Sequence, residues 1–188
     1  MTEADLDEVV TIDLDAFHPD RFQVDAISSL AAAVRSSKPK QAVPVRSSPA
    51  ASNSRQLESG LESARVLREA SLREELSRPF SRLVVARGDR KEILGYALSW
   101  HVVDELHLLN VAVAARARRQ GIGRALMDDL LAYGRGHAIG RVLLEVRVSN
   151  AAAIALYTSL GFSRFNVRER YYDDGEDAVE MKCVLGGC

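Results

Sequence analysis

The segment 116–124 carries the strongest chemical signal in the sequence, because it combines four arginines with two closely spaced glycines. It reads Arg-Ala-Arg-Arg-Gln-Gly-Ile-Gly-Arg and lies between a predicted strand and a predicted helix. Gly121 and Gly123 let the backbone turn tightly and present N–H groups at a helix N-terminus, where the helix dipole favours anions. Arginine side chains suit phosphate oxygens. The segment therefore predicts a phosphate-binding loop; in the alternative interpretation, the glycines serve only the turn and the arginines are solvated.

Absent motifs narrow the class of ligand. The nucleotide P-loop requires Gly-x-x-x-x-Gly-Lys-Ser/Thr, which the sequence lacks. The segment 134–140 imitates a dinucleotide-binding motif, but it follows a predicted helix rather than a strand and is interpreted as a helix end. The four histidines lack HExxH spacing, and Cys183 and Cys188 cannot form a four-ligand zinc site by themselves. No metal site is predicted.

Two further residues have side chains suited to acid–base chemistry. Glu145 lies in a segment that otherwise reads as a buried apolar strand, and its carboxylate could accept a proton. Tyr157 lies on an alanine-rich helix, and its phenol could donate a proton or a hydrogen bond without adding a standing charge. The structural alternatives are an ion pair with a neighbouring arginine for Glu145 and helix packing for Tyr157.

The elements that would position these residues follow from the hydrophobic periodicity, which predicts an α+β fold with a mixed sheet. The length of 188 residues fits one domain, 1–188. Alternation in the predicted strand 105–113 places Leu106, Leu108 and Ala112 on one face, together with Asn110. The predicted order is a helix ending near residue 18, a helix at 57–76, strands at 83–86, 93–103 and 105–113, a helix from 121, a strand at 141–146, a helix at 151–160, and strands at 162–172 and 178–184.

The segment 31–56 differs from the rest in composition. It contains three prolines and five basic residues but no acidic residue, and it has little apolar surface to offset the entropy lost on ordering. We therefore predict a mobile basic insertion there. The alternative is a basic arm that docks an RNA-rich or acidic target.

The overall charge and the N-terminal sequence limit the location and the partners. The 25 basic and 26 acidic residues leave a net charge of −1, which disfavours nucleic-acid binding by the whole surface. The N-terminus is acidic where a signal peptide would be basic and then apolar, and no stretch approaches the ~20 apolar residues of a membrane span. We expect a cytoplasmic protein with no membrane partner and no direct nucleic-acid site.

At this point the sequence resembles the GCN5-related N-acetyltransferases (GNAT), and within them the RimI branch. The match covers about residues 83–185. The glycine loop indicates only the superfamily, whereas the long run that begins Leu-Glu-Val-Arg is similar to the RimI branch in particular. The residues that carry it are 110–113, 119–124, 144–157, 160–162, 170–172 and 176–178.

The resemblance implies a role for each matching residue. The splayed strand at 111–113 would pair through its backbone with the pantetheine arm of acetyl-coenzyme A (acetyl-CoA), and the amides of 119–124 would hold the pyrophosphate. Glu145 matches the general base and Tyr157 the general acid. The implied acetyl-CoA-binding residues are Val111, Ala112, Val113, Arg119, Gln120, Gly121, Ile122, Gly123, Arg124, Asn150 and Tyr157.

The resemblance also implies the reaction, which is direct acetyl transfer from acetyl-CoA to a protein N-terminal α-amine. The acceptor of the RimI branch is the N-terminal alanine of the small-subunit ribosomal protein S-eighteen (bS18), so the expected partner is a ribosomal protein. We expect a monomer or a weak dimer. Two alternatives remain open: acetylation of another amine, such as a lysine, a polyamine or an antibiotic, and a non-catalytic module that only binds acyl-CoA.

Overall fold

The structure, a computed structural model, describes residues 3–16 and 54–186 of the chain. Within these ranges no helix is long and apolar enough to cross a membrane. The helices are α1 Glu3–Ala16, α2 Ser54–Ser77, α3 Ile122–Gly136 and α4 Ala151–Ser159, and a short 3-10 turn covers Ala115–Ala117. The strands are β1 Ser81–Arg87, β2 Ile93–Val102, β3 Glu105–Val113, β4 Arg141–Arg147, β5 Ser163–Arg168 and β6 Ala178–Val184.

The six strands form one mixed sheet in the order β1-β2-β3-β4-β6-β5. Only β3 and β4 run parallel; the other neighbours are antiparallel. The parallel pair is joined through α3, the crossover helix that such a connection requires. The predicted α+β fold with a mixed sheet is confirmed.

Helices cover both faces of the sheet and bury a separate apolar cluster on each. The apolar stripe of α3, which includes Leu126 and Leu130, packs on one face together with Ile154 and Tyr157 of α4. Helices α1 and α2 cover the opposite face, where Val9 belongs to the second cluster. Because the two faces carry different helices, the face on which a strand residue lies decides its surroundings.

A bulge in β3 changes which face its residues occupy. Leu98 of β2 pairs with Asn110 and the next residue, Ser99, pairs with Leu108, so Leu109 is the extra residue. Leu108 lies in the α3-side cluster, whereas Ala112 lies in the α1-side cluster. The prediction that 106, 108, 110 and 112 share one face was therefore wrong, because one inserted residue shifts the alternation of every residue after it.

Beyond this bulge, β3 and β4 separate. Their pairing runs from Glu105–Arg141 to Leu108–Leu144 and goes no further. The last five residues of β3, 109–113, and the last three of β4, 145–147, therefore diverge. This leaves a V-shaped gap in the sheet between the carboxyl ends of two parallel strands.

Two other predictions concerned chain boundaries. The strand predicted at 162–172 ends at Arg168, because Arg170 adopts a φ of +50° and its N–H donates to the Asp177 carboxylate at 2.8 Å, which turns the chain. The predicted insertion 31–56 lies outside the described residues except for 54–56, which already belong to α2.

A buried polar cluster holds α1 and α2 on the sheet next to the gap. Asp13 of α1 is only 2% exposed and accepts a hydrogen bond from Arg68 of α2 at 2.8 Å. The Asn110 amide donates to the same carboxylate at 2.9 Å, and the buried Tyr96 hydroxyl also donates to it. Because the charge of Asp13 is paired and fully hydrogen-bonded, its burial fixes both helices relative to β2 and β3.

Candidate active site

The gap between β3 and β4 opens toward the N-termini of two helices. Helix α3 begins at Ile122 shortly after β3, and α4 begins at Ala151 shortly after β4. In open α/β sheets, ligands bind in the crevice outside the carboxyl ends of the strands. Both helix dipoles place partial positive charge at this edge, so the gap suits an elongated ligand that carries an anion at one end.

The backbone before α3 has the geometry predicted for an anion-binding loop. Gly121 is the N-cap residue of α3 with a φ of +83°, a left-handed conformation that favours glycine. A Cβ at that position would meet nothing within 4 Å, so the space beside it is open. The N–H groups of 119–124 donate to no described residue. These six amides are available to oxygens of a bound anion.

The arginines of this loop divide into two pairs. Arg116 donates to the Ile93 carbonyl at 3.0 Å and Arg118 to the Val113 carbonyl at 3.3 Å, so both hold the loop against the sheet. Arg119 is exposed, and Arg124 is exposed while donating to the Ser159 hydroxyl at 3.2 Å. All four arginines are exposed, so the loop carries their positive charge at the surface.

The other predicted ligand-binding residues border the same edge. Residues 111–113 lie in the end of β3 that pairs with β2 but not with β4, and the side chain of Ala112 is buried on the α1 side. Gln120 donates to the Arg116 carbonyl at 2.9 Å. A Cβ on Gly123 would stand 3.6 Å from Leu156, so the start of α3 lies against α4. The oxygen of Asn150 accepts from the Ala153 N–H at 3.1 Å and caps α4.

Glu145 is the first residue of β4 beyond the last pair with β3. Its side chain is 21% exposed and points away from the α3-side cluster, since Leu144 and Val146 face that cluster. Burial raises the pKa of Glu145 above its ordinary value, and the neighbouring Glu180 carboxylate raises it further against the lowering effects of Arg168 and His107. A carboxylate with a raised pKa is a stronger proton acceptor.

Tyr157 lies on the opposite face, in the apolar cluster under α4. It is 5% exposed and packs on Phe162 with ring centroids 5.8 Å apart. Its hydroxyl makes no hydrogen bond to any described residue. Burial raises the pKa of Tyr157 to about 12, so the phenol keeps its proton at neutral pH. A protonated phenol without a described acceptor can donate to a ligand atom.

Residues near Glu145 that sequence reasoning did not single out come from β5 and β6. Glu180 of β6 lies opposite Glu145 in the register, and Arg168 of β5 contacts both carboxylates. The available signal was a lone glutamate in the apolar run Ala-Val-Glu-Met, the same kind of signal that indicated Glu145. The pairing itself depends on contacts between distant parts of the chain.

The loop between β5 and β6 is fastened to the end of β4. Arg147 donates to Asp174 at 2.9 Å and to Glu176 at 2.7 Å, and its guanidinium lies 3.8 Å from the centre of the Tyr172 ring. The Glu176 carboxylate also accepts from the Ser149 N–H at 2.9 Å. The loop that carries Tyr172 is thus tied to the turn between β4 and α4.

Among the described residues, no group of three or more His, Cys, Asp and Glu side chains is arranged to hold a metal ion. The polar groups described above include Glu145, Tyr157, the backbone amides of 119–124 and the arginines of that loop. This set can bind an anion, accept a proton and donate a hydrogen bond.

Comparisons with known proteins show the family that the sequence is similar to. The sequence pattern of the Acetyltransferase (GNAT) family matches residues 51–162. The [Ribosomal protein bS18]-alanine N-acetyltransferase of Escherichia coli strain K12 is 44% identical over 93 residues, which are 48% of this chain and 63% of that protein. The N-alpha-acetyltransferase RimI of Mycobacterium tuberculosis is 48% identical over 79 residues, 42% of this chain and 47% of that protein.

A solved structure gives the same result. The crystal structure of the ribosomal-protein alanine N-acetyltransferase from Escherichia coli aligns with a TM-score of 0.59 and 36% identity, over 64% of this chain and 78% of that one. The chain spans less than two thirds of the length of the curated relatives named above. The resemblance to RimI that the motifs predicted is confirmed, and since the family pattern covers more than half of the sequence, the chain belongs to the Acetyltransferase (GNAT) family.

Proposed function

We propose that this protein is an N-terminal acetyltransferase that moves the acetyl group of acetyl-CoA directly to the α-amine of a protein, with the N-terminal alanine of ribosomal protein bS18 as its acceptor. The observation that supports the reaction is the gap between β3 and β4. The open amide loop lies at the edge of this gap, and Glu145 lies where the gap begins. The acceptor is supported by the names of the relatives, which include bS18-alanine N-acetyltransferases. A ribosomal acceptor implies action in the cytoplasm.

The described residues fit acetyl-CoA, which would supply an activated acetyl group as a thioester. The amides of 119–124 and the side chains of Arg119 and Arg124 would hold the diphosphate, because they are open and positively polarised. The backbone edge of 111–113 that faces away from β2 would bind the extended pantetheine arm. Asn150 would contact it from the start of α4. The predicted assignment of these residues to acetyl-CoA binding thus has a geometric basis.

Glu145 would act on the acceptor amine. An α-amine has a pKa near 8 and is mostly protonated at neutral pH, whereas only the neutral amine attacks a carbonyl. The Glu145 carboxylate would take the proton directly or through one water, and its raised pKa strengthens it as a base. Because the base must be ionised, we expect kcat/KM to fall as the pH falls through the pKa of Glu145.

Tyr157 would act at the sulfur on which negative charge develops. Its pKa of about 12 lies roughly three units above that of an ordinary thiol, so complete proton transfer from the phenol to a thiolate is unfavourable. Hydrogen-bond donation avoids that cost and stabilises the charge. Holding both substrates in line would remove much of the remaining entropic barrier, so no covalent enzyme intermediate is required.

The acceptor is tested with a panel of peptides. We expect acetylation of a peptide with the N-terminal sequence of bS18, no reaction when its α-amine is blocked, and no reaction with blocked peptides that contain lysine. Mass spectrometry locates the added acetyl group, and release of the free thiol gives the rate. Acetylation of lysine, a polyamine or an antibiotic instead would overturn the proposed acceptor. Bound acetyl-CoA without thiol release on any amine would indicate a binding module.

The phosphate loop gives a separate prediction. Replacing Arg119 and Arg124 together by alanine removes two cationic donors at the open amides, and we expect the Kd for coenzyme A to rise about 10–100-fold, the scale of two partly exposed charge-assisted hydrogen bonds. Titration calorimetry measures this directly. The control is Arg135→Ala at the other end of α3, which should bind like the unmodified protein. An unchanged Kd in the double variant would contradict the role of the loop.

The two functions of Asn150 can be separated with a pair of variants. Asn150→Ala removes the cap of α4 and should lower the free energy of unfolding by about 1 kcal/mol. Asn150→Ser keeps a capping oxygen and should be nearly as stable as the unmodified protein. We expect both variants to bind coenzyme A more weakly, as measured by calorimetry beside denaturant unfolding. Full affinity in the serine variant would mean that Asn150 is only a cap.

A further inference from the structure

The environment of Glu145 contains a second carboxylate that the proposed reaction does not use. Glu145 and Glu180 are direct partners in the antiparallel ladder of β4 and β6. Side chains at such positions are close, with Cβ atoms about 4.5–5.5 Å apart, and two like charges placed there destabilise the sheet. Glu180 is buried, with only 8% of its surface exposed. A buried carboxylate facing a second carboxylate needs a specific compensating contact.

The compensating contact comes from Arg168, whose guanidinium lies closer to Glu180 than to Glu145. Its Nε and Nη2 atoms both lie 2.8 Å from Oε1 of Glu180, whereas Nη2 lies 3.7 Å from Oε1 of Glu145. The first distance is that of a charge-assisted hydrogen bond, and the second is too long for one. Asn166 donates to the other oxygen of Glu180. Both oxygens of Glu180 therefore have partners, and Arg168 is held by Glu180 rather than by Glu145.

The charged and titratable groups around Glu145 come from several elements. They are Arg168 on β5, Glu180 on β6, His107 on β3, and Tyr171 and Tyr172 in the loop after β5. Of these, Arg168 is the only permanent cation. If the guanidinium moved onto Glu145 and formed a paired hydrogen bond, it would stabilise the ionised carboxylate and make it a weaker proton acceptor. The contact to Glu180 opposes that movement.

We propose that Glu180 is a positioning residue: it holds the Arg168 guanidinium off Glu145, so that the Glu145 carboxylate stays free to take a proton from the acceptor amine. Glu180 acts through Arg168 and touches no reacting atom. The inference rests on the proposed function for its catalytic consequence. The arrangement of the three side chains does not depend on that function.

The test is a titration of Glu145 in the full-length protein by carbon NMR of labelled glutamate carboxyls. The Glu145 signal is identified by its loss in Glu145→Gln. We expect Glu180→Gln to lower the pKa of Glu145 by about one unit, the size of effect that a single neighbouring charge produces. The acidic limb of the kcat/KM profile should move to lower pH by the same amount. The control is Asp129→Asn, which changes the charge equally but breaks an ion pair with Arg82 on the opposite face.

A double-variant cycle shows whether Arg168 transmits the effect. We expect Arg168→Gln to raise the pKa of Glu145, and we expect Glu180→Gln to have at most half of its effect in that background. An unchanged Glu145 titration in Glu180→Gln, or equal effects in both backgrounds, would overturn the proposal. If Glu180→Gln did not fold, Arg168→Gln would still test the proposal, because the Arg168 side chain is 44% exposed and its replacement should be tolerated. An unchanged titration of Glu145 in Arg168→Gln would also overturn the proposal.

The two readouts separate this inference from the proposed function. A shift in the NMR titration without any acetyl transfer would support the positioning of Arg168 by Glu180 and would overturn the proposed reaction. Acetyl transfer with an unshifted titration of Glu145 would support the proposed reaction and would overturn the positioning of Arg168 by Glu180.

Discussion

Glu145→Gln is expected to lower turnover by about 10²–10⁴-fold, the range that a general base contributes, while the Kd for coenzyme A changes little. Glutamine keeps the size and a hydrogen-bonding oxygen but cannot accept a proton from the amine. Because the side chain lies on the α1 side of the sheet and the open amide loop lies before α3, removal of its charge should not disturb ligand binding. Steady-state kinetics with the acceptor peptide, beside calorimetry with coenzyme A, measures both quantities.

The matched control for this variant is Glu69→Gln. Glu69 lies on α2, where it accepts hydrogen bonds from Arg73 of the same helix at 2.6 and 3.2 Å. The substitution is chemically identical but lies outside the gap, so turnover should stay within about threefold of the unmodified protein. Normal turnover in Glu145→Gln would remove the residue from the mechanism. An optimum of kcat/KM at low pH would also remove Glu145 from the mechanism, because a base with a raised pKa is protonated and inactive in acid.

Tyr157→Phe is expected to lower turnover over the same range of about 10²–10⁴-fold. The phenyl ring should keep the packing on Phe162, so the variant should fold normally and bind coenzyme A with the same Kd. What is lost is one hydrogen-bond donor in a buried environment, where such a donor has its largest effect on developing charge. Turnover with acetyl-CoA measures the loss, and thermal unfolding checks that the fold is intact.

Tyr133→Phe is the corresponding control. Tyr133 also lies on a helix of the α3 side and hydrogen-bonds through its hydroxyl to His101 at 3.1 Å, but that contact lies away from the gap. Loss of its hydroxyl should leave turnover nearly unchanged. Equal activity of Tyr157→Phe and the unmodified protein would show that Tyr157 only packs. A large drop in melting temperature in Tyr157→Phe would mean that the hydroxyl has a structural partner instead.

The order of elements was predictable from the sequence, but the face assignments in β3 were not. Helix α3 has a clear apolar stripe, and β4 shows a run of buried aliphatic residues. In β3, however, both faces are covered by helices, so apolar residues continue on either side of Leu109 and no break in the pattern reveals the bulge. A bulge depends on the register with the neighbouring strand, and the sequence of one strand does not contain that information.

The residues of the candidate site also fall into those that the sequence indicates and those that it does not. The sequence predicts roles for the loop at 119–124, Glu145 and Tyr157 because they lie in local motifs or stand out from their segments. Arg168 and Glu180 were missed, because their significance comes from the pairing of β4 with β6 and of β6 with β5. The separation of β3 and β4 was expected only through the resemblance to the family, since no residue pattern along either strand marks where their pairing ends.

The incomplete pairing of β3 and β4 has a consequence for how this protein meets other polypeptides. A free strand edge on a protein surface attracts other polypeptides and promotes aggregation. Here the free edge is only five residues long and is enclosed between its neighbour strand and two helix starts. So short an edge offers few main-chain groups to another polypeptide strand. Recognition by main-chain atoms would leave these side chains to the packing of the two cores, because Ala112 is buried in the α1-side cluster and Val111 packs against the α3-side cluster.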